Sequence, residues 1–450
     1  MKKQQFVFVL LCLAINFAVN GFATDVSSDD SSTVESAAGA NLARGKLRQK
    51  RRRIKALAGT QGDAPSLDSQ FQPIPPTVQT DRLGGVDVPT AEVLKKMHAG
   101  QYILHGHAGK LTKVPAVKVL LPHDPNAHPQ AIQVVQGADD TVYANLASII
   151  CKSTDGGRNW MSHKKGPGGT GIFEVLDDGS FVLIGSEGEG SETRVVFRKS
   201  RDEGRTWQAL SEIANPPGYN GGSSWITRRT DGSLLAGISH GNSVFEEVDG
   251  KLTWKSGGGG TWSYLSKDKG QTWTRLSVIH DWAGEGGVDQ TPSGKFVAAL
   301  RYQRPTLPGD APDLEKRNRS ISSGWPWKNV FLADSDDQGH TWKNFRQLTT
   351  VFGQTRGVPV ALSDGTVLVI HDTRYGPGSP GSRAMISRDE GRTWQDEVYY
   401  LDFTTFTGSY NGSVVLDDDL ILSVVGSSQA GNSWEKVKNH TDFYAIRWKP

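Results

Sequence analysis

The 450-residue chain is short of cysteine, with only Cys12 and Cys151. Cys12 falls inside the stretch 1–23, expected below to be removed. The exported chain therefore keeps one thiol and cannot close an internal disulfide, which excludes a disulfide-stapled scaffold. Cys151 ends the apolar run 146–151 and reads as a buried inert thiol, not a nucleophile. An excess of one charge is also lacking: 50 Lys and Arg against 48 Asp and Glu leave +2, too little for a nucleic-acid surface. Metal-ligand clusters are missing as well. His105 and His107 stand at i, i+2, but no nearby Cys or carboxylate group completes a site, so a loop or strand edge is expected there. The glycine run Gly257 to Gly260 has no Lys-Ser/Thr after it, which excludes a phosphate loop and leaves a flexible turn. No metal and no cofactor is expected.

The N-terminus carries Lys2 and Lys3, an apolar run from Phe6 to Val19, and small residues at Gly21 and Ala23. These features predict a secretory signal over 1–23, whose apolar run is short for a membrane span. The protein is expected to be secreted, periplasmic or at the cell surface; a retained N-terminal anchor is the alternative. Residues 24–112 differ from the rest. An acidic, Ser-rich stretch (25–36), a basic run KLRQKRRRIK (46–55) and a Pro-containing stretch (65–89) predict a low-complexity linker. The basic run is either a solvated charged face or, with the anchor, the one expected contact with a membrane.

From residue 113 onward short apolar runs alternate with Gly, Asp, Asn and Ser turns, which predicts an all-β domain over 113–450. One pattern, Ser-x-Asp-x-Gly-x-(Thr/Asn)-Trp, occurs five times, starting at Ser153, Ser200, Ser266, Ser335 and Ser387. The intervals of 47, 66, 69 and 52 residues suit one four-stranded sheet plus its loops. The chemistry of the pattern is local. The Asp can accept turn N–H groups, the Gly permits positive φ, and the Trp packs the turn down. These aspartates therefore read as staples without a catalytic role. A second recurrence, strand–turn–strand, opens at 131, 172, 223, 287, 359 and 413. Six openings with five staples predict a six-bladed β-propeller, its last blade completed by the chain end and closed by residues 117–121.

The five repeats resemble the Asp-box, or BNR, repeat of the sialidase (neuraminidase) superfamily, over residues ~115–450. In such a ring the first strands start, and the second strands end, on the face opposite the Asp-boxes. That mouth collects His128, Glu285, Arg356 and Tyr410 from strand starts, and His240, Arg301, Asp372 and Arg374 from strand ends. The resemblance implies that Tyr410, opening the last blade before Asn411-Gly412-Ser413, is the nucleophile. Glu285, which has Arg301 sixteen residues later, is its base. Arg301 and Arg356 would grip the substrate carboxylate, matching it with a rigid fork. His128, His240, Asp372 and Arg374 are the further substrate-binding candidates. Two family positions have no counterpart. The stretch that should carry the first Arg reads Ala127-His128-Pro129-Gln130, and 143–147 carries no carboxylate where the acid/base Asp belongs; Glu187, His128 or Asp372 is left to supply a proton.

The resulting expectation is an exported, monomeric glycoside hydrolase acting on terminal, acidic sugars of glycans. The alternative is a non-catalytic propeller that binds glycans or proteins, since one fold hosts many functions. In that case Glu285 and Arg301 are an inter-blade salt bridge and Tyr410 is a packing residue. An assembly protein of photosynthetic type is a more distant reading.

Overall fold

The computed structural model describes residues 82–83, 86–87, 89–123, 132–146, 148–188, 193–216, 219–241, 244–248, 251–256, 258–303, 328–349, 354–373, 380–405, 411–431 and 440–450. Strands dominate, every pairing is antiparallel, and the arrangement is propeller-like. Four sheets have four strands each, hydrogen-bonded in sequence order. The first comprises Gln133–Gln136, Val142–Leu146, Ile149–Ser153 and Met161–Lys164. The second comprises Ile172–Val175, Phe181–Glu187, Arg194–Ser200 and Gln208–Ile213. The third is Asn220–Arg228, Leu234–Gly241, Gly259–Ser266 and Thr274–Asp281. The fourth is Ala283–Gln290, Phe296–Tyr302, Asn329–Ser335 and Lys343–Gln347.

A nine-stranded sheet holds the remainder. Gln354–Ala361, Val367–Thr373, Gly381–Ser387 and Glu397–Tyr400 repeat the four-strand order at one end. At the other end, Asn411–Val415, Ile421–Ser427 and Asp442–Trp448 are completed by the N-terminal strand Lys110–Leu120. Tyr102–His107 bridges the two groups, pairing with Glu397–Tyr400 on one side and Lys110–Leu120 on the other. His105 is therefore interior to a sheet, not at its edge, and its Nε2 lies 2.8 Å from Glu397 Oε1. The opening strands contact each other in cyclic order: Gln133–Gln136, Ile172–Val175, Asn220–Arg228, Ala283–Gln290, Gln354–Ala361 and Asn411–Val415, which returns to Gln133–Gln136.

The sheet assembly reaches back before residue 113, into the stretch expected as linker. The helix Ala91–Ala99 is capped by Thr90, whose hydroxyl accepts from Val93 N. Leu94 and Met97, one helical turn apart, are buried against Leu104, Val398, Tyr400 and Phe403. Lys118 Nζ, 2.7 Å from Met97 O, ties the C-terminal end of the helix to the closing strand. The pattern is only two apolar residues wide in a short, charged helix, so composition masks it.

The five repeats share one geometry. In the first, Ser153 Oγ donates to Asp155 Oδ1 and accepts from Gly157 N, each at 2.8 Å, and Asp155 Oδ1 accepts from Asn159 N at 2.9 Å. The same three bonds recur at Ser200, Ser266, Ser335 and Ser387. Each turn needs two successive left-handed residues, so the residue before the glycine is strained too: Glu203, Lys269, Gln338 and Glu390 all lie near φ +60°. Each glycine also presses on the preceding sheet. A Cβ at Gly204 would meet Ile150, at Gly270 Val182, at Gly339 Leu235 and at Gly391 Val297. At Gly157 it would meet Leu422 of the last group, so the staples seal every seam they reach, including the one between chain start and chain end.

Candidate functional site

The mouth end of the ring is set by antiparallel pairing: Asn220 lies opposite Gly241, Ala283 opposite Tyr302, and Gln354 opposite Thr373. Glu285 sits where the fourth sheet slips register, between Ala283↔Tyr302 and Gly286↔Leu300. Such a bulge re-aims a side chain. Its Oε2 stands 2.7 Å from Arg301 NH1, and Arg301 NH2 donates to Gln303 Oε1. The pair is thus made within one sheet, not between blades, and both side chains keep partial exposure, 14% for Glu285 and 20% for Arg301.

Arg356 enters from the neighbouring opening strand, is buried, and donates through NH1 to Ile132 O at 3.2 Å. Ile132 directly precedes the first sheet, two steps further round the ring. The guanidinium therefore bridges past the strand that follows Tyr410. Gly357 beside it is needed for packing, because a Cβ there would lie 2.8 Å from that of Ala299 and 3.0 Å from Val330 and Val369. The fourth sheet and its neighbour can close on each other only without that side chain.

The other expected residues divide. His240 and Asp372, expected to face substrate, are interior, 2% and 0% exposed. His240 Nε2 lies 3.1 Å from Tyr264 OH, and its ring packs on Trp262 with centroids 4.4 Å apart. Burial, then the nearby Arg275 charge, lowers its pKa to about 4, so the ring is neutral. Asp372 runs within the ladder opposite Ser382. Both correct the expectation for one reason: each closes a second strand that is buried along its whole length. Glu187, a possible proton source, is bound instead to Arg198 and lies 3.8 Å from Arg194. His128, Arg374 and Tyr410 lie outside the described residues.

One residue escaped the sequence reading. Asp281 ends the fourth strand of the third sheet, pairs with Gly260, and precedes the Glu285 strand by two residues. Burial pushes its carboxyl up to about 6. First-strand starts and second-strand ends are not the whole mouth, because fourth strands also finish there. Among the described residues no group of three or more His, Cys, Asp or Glu is arranged to hold a metal.

The fourth sheet thus carries a carboxylate steadied by a guanidinium, the next opening strand carries a buried guanidinium, and the strand before the fourth sheet ends on a carboxyl that burial raises to about 6. No protein-family model matches the chain. No curated protein matches it either. Solved structures do. A Dyadobacter fermentans protein of unknown function aligns at 16% identity over 74% of this chain and 98% of its own, with a TM-score of 0.51. The α-L-arabinofuranosidase Arb93A of Fusarium graminearum gives the same 16% and 0.51, over 74% and 96%. A Hadza microbial sialidase aligns at 15% identity over 75% and 69%, with a TM-score of 0.49. The fold is one shared with propeller glycoside hydrolases.

Proposed function

We propose that the protein is an exported glycoside hydrolase of sialidase type, a six-bladed ring that removes terminal sugars from glycans at the mouth of the fourth sheet. The observation that carries this reading is the Glu285–Arg301 pair at a strand irregularity, next to the strand that brings in Arg356. Counting the nine-stranded sheet as two blades bridged by Tyr102–His107 supports the number six.

Tyr410 is the proposed nucleophile. A neutral phenol attacks the anomeric carbon of an acidic sugar without the repulsion a carboxylate meets, and with an ordinary pKa near 10 it needs a base. Glu285 takes that proton as the Tyr410 oxygen bonds the anomeric carbon and the glycosidic bond breaks. The leaving oxygen takes its proton from Asp281. Water then attacks the tyrosyl-linked sugar, giving its proton to the Asp281 carboxylate, while Glu285 reprotonates the phenol. Arg301, Arg356, Arg374 and His128 hold the sugar. Tyr410→Phe tested on a panel of acidic and neutral glycosides decides the matter: turnover by the parent that disappears in the variant supports the hydrolase. Retained turnover overturns the role of Tyr410.

A second reading, a non-catalytic glycan-binding ring, is favoured by one observation: Arg301 and Glu285 already satisfy each other. It predicts saturable glycan binding with no turnover of any glycoside.

A further inference from the structure

Between the third and fourth sheets the chain turns over on one residue. Asp281 ends the last strand of the third sheet, Ala283 begins the first strand of the fourth, and only Trp282 lies between. The same passage from the first sheet to the second takes the stretch 165–171. So short a link puts Trp282 at φ +62°, left-handed backbone that a bulky residue avoids. Two backbone bonds hold it there. Trp282 N donates to Gly259 O, and Gln303 N donates to Trp282 O at 3.2 Å. Gln303 is also the residue that receives Arg301 NH2. The indole is buried in the core shared by the two sheets. Gly259 and Gly260, expected as part of a flexible turn, instead open the third strand of the third sheet, and a Cβ on Gly260 would lie 2.6 Å from His280 O.

The bend continues past Trp282. Thr261 Oγ1 lies 2.8 Å from Ala283 O and 3.0 Å from Gly284 O. Successive carbonyls of an extended strand point to opposite sides, so one hydroxyl reaching both marks a chain folded round it. Gly284 O has a second donor, Ser224 Oγ, at 3.0 Å. Ser224 is itself the extra residue where the first strand of the third sheet slips register, between Ser223↔Ile238 and Trp225↔Gly237. A bulge in one sheet thus answers the bulge that carries Glu285 in the next. Gly284 and Glu285 have no partner in the ladder of the fourth sheet, so hydroxyls of the neighbouring sheet fix this stretch where strand pairing does not. Both hydroxyl-bearing residues are buried, Thr261 at 0% and Ser224 at 4% exposure. The two carbonyls they grip stand between Asp281 and Glu285.

We propose that Thr261 and Ser224 are positioning residues, whose hydroxyls hold the bend that sets Asp281 and Glu285 in relation to each other. The inference rests on the acid and base roles given to those two carboxyl groups. The hydroxyls act through backbone carbonyls and carry no proton of the reaction.

The test removes the hydroxyls and keeps the shapes. Thr261→Val, Ser224→Ala and the double variant are made in the full chain, with Thr261→Ser as the replacement that keeps the hydroxyl. Gly179→Ala, in a turn of the second sheet with open space around it, is the destabilised control. Two quantities are read on each protein. The first is the titration of Asp281, followed by NMR of aspartate labelled at its carboxyl carbon and assigned with Asp281→Asn. Burial places that carboxyl at about 6 in the parent. In the double variant it is expected to fall toward the ordinary value of about 3.9, as the bend relaxes and water reaches it. The second is kcat against KM on a glycoside that the parent turns over. In the double variant kcat should fall by about a hundredfold, with KM within about threefold of the parent. Thr261→Ser should match the parent in both, and Gly179→Ala should keep both despite its lost stability. An Asp281 titration unmoved in the double variant, or a kcat no lower than that of Gly179→Ala, overturns the inference. Should the double variant fail to fold, Thr261→Val alone is read against the same control, with a kcat loss of about tenfold expected and an unmoved titration again overturning the inference. A parent that turns over no glycoside sinks the hydrolase reading alone, because the titration still decides whether the hydroxyls hold the bend.

Discussion

Glu285 and Arg301 meet across neighbouring strands of the fourth sheet, Oε2 2.7 Å from NH1, with Gln303 receiving the second guanidinium nitrogen. The carboxylate is held in one place by a charge-assisted bond while part of it stays open to solvent. A positioned base needs both properties; a purely structural pair needs only the first.

Replacing the two partners separates these roles. Arg301→Met removes the guanidinium that bonds the Glu285 carboxylate and should cost about 1–3 kcal/mol of stability. Glu285→Gln keeps the shape and a hydrogen-bond acceptor, so it should unfold close to the parent. Its turnover of an acidic glycoside should fall by roughly 10²–10⁴, the range for loss of a general base. Unfolding curves and kcat on the same samples check this. A Glu285→Gln protein with full turnover would reduce the pair to a strap between strands.

Asp281 carries a prediction about leaving groups. With its carboxyl raised to about 6 by burial, it is protonated where Glu285 must be ionised. Asp281→Asn should slow release of an alkyl or sugar leaving group by about 10²–10³, the contribution of a general acid. An activated aryl group, which departs without a proton, should be released at nearly the parent rate in the first turnover, with later turnovers of every substrate slowed because the water-attack step also uses Asp281. The parent's kcat with a poor leaving group should also fall as pH rises through about 6. Equal slowing of the first turnover for both leaving groups would place the acid elsewhere.

Much of this arrangement was legible from the sequence because its signals are local and repeated. The Ser, Asp and Gly of each staple bond within eight residues, so Ser153 to Trp160 announces its own turn. The closeness of Glu285 to Arg301 follows from strand–turn–strand spacing. What stayed hidden depends on contacts far along the chain. Nothing near His240 forecasts that Trp262 and Tyr264 enclose it. Leu94 and Met97 reveal a core face only once Val398 and Tyr400 pack on them. Asp281 was missed through geometry, since alternating apolar residues mark where a strand runs but not which face its last residue reaches.

The two interior histidines make stability depend on pH. His240 and His371 both have folded-state pKa values lowered to about 4, chiefly by burial, with the Arg275 charge adding to the effect at His240 and Arg383 at His371; Asp372 opposes it. Below the unfolded value near 6.5, the unfolded chain takes up protons that the folded chain refuses. Stability should therefore be full above pH ~6.5 and fall progressively to pH ~4, by up to roughly 3 kcal/mol per histidine. The staple aspartates act lower. Asp202, held down mainly by Thr206 N–H, and Asp389, whose turn bonds outweigh its burial, lie at about 2. Their contribution is lost only between pH ~4 and ~2. Denaturant midpoints for the parent and for His371→Gln should diverge most between pH 4 and 6.5, and parallel curves across that window would refute the assignment.

The ring seam can be weighed with two glycines of nearly equal conformation. Gly157 has φ 84° and Gly179 has φ 77°, so alanine at either suffers the same left-handed penalty, about 1–2 kcal/mol. They differ in what the new methyl meets. At Gly179 nothing lies within 4 Å, whereas at Gly157 both Leu422 methyls lie 2.9 Å away. Leu422 belongs to the core formed where the first sheet packs against the last strands of the chain. Gly157→Ala should therefore lose the backbone penalty plus an overpacking cost of about 1–3 kcal/mol, and Gly179→Ala the backbone penalty alone. The extra cost should appear in urea midpoints at unchanged slope. Equal losses would mean that Leu422 yields freely, and that the staple at Ser153 does not hold the chain's two ends together.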